Sequence, residues 1–86
     1  MILTRVISAF RGALPASINV WMELHPRADG TLIRLRAAGR DNGSPWGWQS
    51  DIDDVDLAMQ RDPAEWGKRE AYRLIRELER DGMKVR

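Results

Sequence analysis

The chain predicts an α+β layer, with an N-terminal helix, a small antiparallel sheet, and a C-terminal helix packed on one face of it. Three observations predict it. Apolar residues recur three or four apart at both ends, at Ile2, Leu3, Val6, Ile7, Phe10 and Leu14, and again, with small ones, at Gly67, Ala71, Leu74, Ile75 and Leu78. Between them lie two stretches, 18–25 and 31–38, in which apolar and polar residues alternate. Asp29-Gly30, a strong turn signal, separates those two stretches. The first spacing is one face of a helix, and the alternation is one face of a strand.

The first helix is expected over about 2–13. Strand is its rival, because the segment contains β-branched residues. Gly12 and Pro15 end it in either case. A β-hairpin follows over 18–38. Ile18, Val20, Met22 and Leu24 point one way, and Asn19, Trp21, Glu23 and His25 the other. Ile33, Leu35 and Ala37 point inward, with Arg34 and Arg36 outward. Parity then restricts the register, because paired positions must sum to an odd number to put both apolar sets on one face. A four-residue loop gives the sum 57, which places Glu23 across from Arg34 and Trp21 across from Arg36. A two-residue turn at Asp29-Gly30 gives 59 and pairs Glu23 with Arg36 instead.

Gly39 to Pro45 reads as a loop, and a third strand is expected near 46–50, with Trp46 and Trp48 on one face. Asp51 to Gln60 allows a short helix capped by an Asp. The last helix is expected over 63–81. Asp62 is its cap, Pro63 its first residue, and Gly82 the residue just past its end. Met83 and Val85 would add an apolar contact or a short edge strand after it. This element order is that of the double-stranded-RNA-binding fold. That family carries a basic, alanine-rich cluster at the start of its last helix, and Pro63-Ala64-Glu65-Trp66-Gly67 is not one. The likeness is therefore one of topology.

Eighty-six residues make a single domain, 1–86. With 43% apolar and 31% charged residues, the composition is that of a folded chain. There is no Cys, so disulfides, thiolate nucleophiles and thiolate metal sites are excluded. Arg5 and Arg11 interrupt the apolar N-terminus, which argues against a signal peptide. No run reaches the ~18 apolar residues of a membrane span. A cytoplasmic location is expected, the host cytoplasm for a phage-encoded chain. Net charge is +1, but it is unevenly spread. Residues 1–40 carry +4, residues 41–62 carry −5 and residues 63–86 carry +2. An acidic middle lies between two basic ends.

Little here suggests chemistry. The one His, His25, has Glu23 as its nearest acid, and a lone His is a weak general base without an orienting partner. Asp51, Asp53, Asp54 and Asp56 lack the glycine and glutamate spacing of a calcium loop and fit an Asp-rich helix start. No enzyme activity, metal or cofactor is expected. The arginines are the better candidates. Arg69, Arg73, Arg76 and Arg80 recur along the last helix opposite its apolar stripe, and Trp66 falls on their side. Trp21, Arg34 and Arg36 form a second group on the outer face of the hairpin. Trp and Arg are enriched at binding hot spots. These eight residues read as the surface of a small protein-binding module, a regulator, adaptor or inhibitor of bacterial or phage type. The alternative is a nucleic-acid binder that sets the same arginines on phosphates and stacks Trp21 or Trp66 on a base. A homodimer through the edge strand or the Trp66 face is compatible with both.

Overall fold

A computed structural model describes residues 2–83. The order is α1 (Ile2–Gly12), β1 (Asn19–Arg27), β2 (Gly30–Asp41), β3 (Ser44–Asp53), α2 (Asp54–Ala58) and α3 (Pro63–Arg80). The strands form one three-stranded antiparallel sheet in the order β1-β2-β3. The expected α+β architecture is therefore present, and α1 is a helix rather than a strand. The expected contact or strand at Val85 lies outside the described residues. No described helix is long and apolar enough to cross a membrane.

Parity builds the sheet. Val20 pairs with Ala37, Met22 with Leu35 and Leu24 with Ile33, so one face is apolar. The register is the one that sets Glu23 opposite Arg34 and Trp21 opposite Arg36. Its loop closes tighter than the four residues expected, because Arg27 and Gly30 also pair.

The expected loop at 39–45 is mostly strand instead. Asp41 pairs with Ser44 around Asn42-Gly43, whose φ angles are 51° and 85°. That is the left-handed two-residue turn for which Asn-Gly is favoured. A tight turn lets β3 begin earlier and run longer than 46–50. Trp46, Trp48, Ser50 and Ile52 then join the apolar face, opposite Gly39, Ala37, Leu35 and Ile33.

α1 and α3 cover that face. Val6, Phe10, Leu35, Ala71 and Leu74 are almost fully buried between the layers. Phe10 stacks on Trp48 with ring centroids 5.9 Å apart. α3 starts where Asp62 Oδ1 accepts a hydrogen bond from the Ala64 N–H at 3.2 Å. It ends where Gly82 N–H donates to the Glu79 carbonyl at 3.0 Å and Met83 N–H to the Leu78 carbonyl at 2.9 Å. These two bonds make a Schellman cap, and Met83 folds onto the core.

The helices touch at Gly67. A methyl group placed there would lie 2.5 Å from the Val6 carbonyl oxygen of α1. In an exposed helix Gly→Ala stabilises by about 1 kcal/mol. Here the clash reverses the sign, so Gly67→Ala should destabilise the fold by about 1–3 kcal/mol. Urea denaturation of the two proteins measures this, and a more stable variant would mean that the backbones can separate at no cost.

Candidate functional site

All the helices lie on one face of the sheet, so the other face has no second layer. It carries the outward residues of each strand in register. Trp21, Arg36 and Gln49 form one row, Glu23, Arg34 and Asp51 the next, and His25, Leu32 and Asp53 a third.

The rows are tied together. Arg34 grips Asp51 with two hydrogen bonds, from Nε to Oδ1 at 2.8 Å and from Nη2 to Oδ2 at 3.0 Å. Glu23 accepts from Trp21 Nε1 at 3.0 Å and lies 2.9 Å from His25 Nε2. The Arg36 guanidinium sits 5.6 Å from the Trp21 ring centroid. Its Nη1 lies 3.4 Å from Gln49 Oε1 and 3.9 Å from Glu23 Oε1. Its Nε is buried and has no hydrogen-bond partner among the described residues. Trp21 remains 38% exposed.

The charges respond to these contacts. The Trp21 hydrogen bond, then that of His25, holds the Glu23 carboxyl below its ordinary value of 4.5. The Arg34 hydrogen bond lowers Asp51, and the same contact raises Arg34. A carboxylate held in its charged form is a weak proton acceptor. Among the described residues no three His, Asp or Glu side chains are placed to hold a metal ion. The arrangement is a rigid mosaic of donors and acceptors around an indole.

The structure divides the eight candidate residues between two surfaces. Trp21, Arg34 and Arg36 lie together on the open sheet face. Arg69, Arg76 and Arg80 lie on the side of α3 turned away from the buried stripe, and Arg73 lies on its flank beside β3. α3 covers the inner face, so these groups point in opposite directions and do not make one continuous surface. Arg69 donates to Gln60 Oε1 at 2.9 Å, and Arg73 pairs with Glu70 at 3.1 Å. Arg76 and Arg80 make no hydrogen bond or ion pair among the described residues.

The expected exposure of Trp66 is corrected. The residue is only 8% exposed and belongs to the hydrophobic core, as does Leu57 of α2. The reason lies in the flank of α3 that it occupies. Along that flank Glu70 accepts from Ser50 Oγ, Glu77 accepts from Trp48 Nε1, and Arg73 lies 5.3 Å over the Trp48 ring. This row follows β3 from Trp48 to Ser50. One turn further back it brings Trp66 to the end of the sheet where Ile52 and α2 lie. A helical side chain also leans toward the N-terminus of its helix, which carries the indole into that corner. The arginine stripe does meet a tryptophan, but it is Trp48 of β3.

Several residues of both surfaces escape a reading of the sequence. Asp51 reads there as part of an acidic helix start, but it stands on β3 as the partner of Arg34. Only Asp54 and Asp56 occupy the first turn of α2. Gln49 stands out by no residue pattern. Ser50 has a detectable signal, since it shares inward parity with Trp46 and Trp48 and a buried hydroxyl needs a partner.

Two outcomes follow from this geometry. Trp66→Ala should destabilise the protein by about 3–5 kcal/mol, as for a core aromatic. Thermal unfolding tests it, and a loss below about 1 kcal/mol is what a surface residue would give. Acid should also weaken the fold. Glu23 and Asp51 are depressed in the folded state, so their contribution is complete above the ordinary carboxylate values and is lost as pH falls below these and through the lowered folded-state values. Denaturant titrations at pH 7 and about pH 3 should show a drop that is smaller in Glu23→Gln/Asp51→Asn than in the parent. An equal drop in both would place the acid sensitivity elsewhere.

Compared with known protein families, with curated proteins and with solved structures, the chain gives no match.

Proposed function

We propose that the chain is a non-enzymatic protein-binding module that acts by occupying a surface of a larger partner through its open sheet face. One observation carries this reading. An indole with a guanidinium beside it stands exposed on a sheet face that no described helix covers. Backbone ladders fix the register of that face, and the Arg34–Asp51 fork ties β2 to β3 across it. A preorganised surface loses little side-chain freedom on binding.

The charge pattern supports a protein partner over a polyanion. Arg34 is neutralised by Asp51, and Arg36 lies beside Glu23. A phosphate chain would have to displace these carboxylates, and Asp53 stands in the next row. A mixed surface suits a protein whose own charges alternate. Interfaces of that kind enrich Trp and Arg and place them near the centre. The role that fits is a cytoplasmic regulator, adaptor or inhibitor of bacterial or phage type.

The experiment is affinity capture from host lysate, with and without nuclease, using the parent, Trp21→Ala and Arg76→Ala. The expected result is a nuclease-resistant partner whose affinity falls by at least about 30-fold in Trp21→Ala, equivalent to ~2 kcal/mol, and stays within about threefold in Arg76→Ala. Capture lost on nuclease treatment, with Arg76→Ala the weaker variant, would transfer the function to nucleic acid and to the far side of α3.

A further inference from the structure

We propose that the open edge of β1 pairs with the same edge of a second copy, joining two three-stranded sheets into one across a two-fold axis at Leu24.

Among the described residues no strand pairs with that edge. In a two-residue hairpin the closing pair exchanges both of its hydrogen bonds, and here that pair is Asp41 and Ser44. Alternate residues of a strand bond to alternate sides. The odd-numbered residues of β2 therefore bond to β3, and the even-numbered ones to β1. Their partners on β1 are the odd-numbered residues Asn19, Trp21, Glu23, His25 and Arg27. The backbone groups of Val20, Met22 and Leu24 point away from the sheet. Two further facts agree. Arg11 Nη2 reaches the Val20 carbonyl from outside at 3.4 Å. Pro26, which has no N–H, falls in the outward set, where no bond of the β1–β2 ladder is lost, and opposite Met22 of a second copy its carbonyl would accept one bond and it would donate none.

The same edge is apolar on its inner side. Leu24 is 52% exposed and Ile2 46% exposed, both large for inward-facing aliphatic side chains. They border a groove of about 330 Å³ whose wall includes Leu3, Ile33, Leu57 and Ala58. A free strand edge with an apolar flank is a template for pairing.

Charge selects the occupant and the register. With the axis at Leu24, that residue faces its own copy in a fully bonded pair. Glu23 then faces His25 of the second copy, and Trp21 faces Arg27. Each contact occurs twice. An axis at residue 23 would set Glu23 against Glu23 of the second copy. An axis at residue 25 would set His25 against itself. An axis at residue 22 would need the carbonyl that Arg11 holds. A two-fold pairing of β1 also closes on itself and does not propagate.

The chain has no cysteine, so Leu24→Cys introduces a lone thiol on the axis. Bonded antiparallel partners have Cα atoms ~5.5 Å apart, inside the ~4.4–6.8 Å range that a disulfide spans. Mild oxidation should convert most of Leu24→Cys to a covalent dimer and leave Ala28→Cys uncrosslinked. Light scattering should give twice the chain mass for the parent. Leu24→Lys, with an unchanged circular dichroism spectrum, should shift to the monomer mass. A parent that is monomeric at every concentration reached, a dimer that Leu24→Lys leaves intact, or equal crosslinking at residues 24 and 28 would each overturn the proposal.

Discussion

Two helices share one face of a sheet only three strands wide, and the close approach of α3 to α1 at Gly67 makes this fit. Three strands ~4.8 Å apart span about 10 Å between the outer strands. Helices pack at about 8–10 Å, so a pair just covers such a sheet when small residues line the contact. Gly67 leaves no side chain between its own backbone and the Val6 carbonyl. A larger residue would push one helix past the edge of the sheet. Val6, Phe10, Ala71 and Leu74 are buried because the two helices and the sheet close on them together.

Both candidate surfaces follow from this placement. With both helices on one side, the opposite face keeps its polar side chains at the surface around a buried Leu32, and they satisfy one another across the strands. The two edges of the covered face differ. Over β3, α3 is held by a polar seam in which Glu70 and Glu77 take hydrogen bonds from Ser50 and Trp48. Arg73 closes that seam by lying over the Trp48 ring and pairing with Glu70. Over β1 the described residues make one such contact, from Arg11 of α1 to the Val20 carbonyl, and Leu24 stays half covered. The free strand edge lies on that less protected side.

Periodicity made most of the fold legible. The spacing of Val6 and Phe10, and of Gly67, Ala71, Leu74 and Leu78, marks the buried faces of both long helices. Alternation marks β1 and β2, and parity reduces their register to a small set that includes the true one. The loop expected around Asn42-Gly43 hid a turn, because only a few apolar residues flank it and the tryptophans of β3 alternate with glycine and serine. The start of the acidic segment reads as a helix for a related reason. Aspartates suit a helix start and a strand's open face equally well, and only the pairing of β3 with β2 sets Asp51 opposite Arg34.

By itself the sequence determined the period of each element, its caps and the side each residue faces, because these depend on neighbours within a few positions. It also determined that Trp21, Arg34 and Arg36 share a face, since strand alternation does not depend on what lies beyond the sheet. Only the tertiary structure decided how far each flank is covered. Trp66 lies at the border of an apolar stripe, and a border residue is buried or exposed according to what packs beside it. Here α2 folds back and β3 runs alongside, so the indole is enclosed and Trp48 meets the arginines in its place. Distances across the chain set that outcome, and local spacing does not encode them.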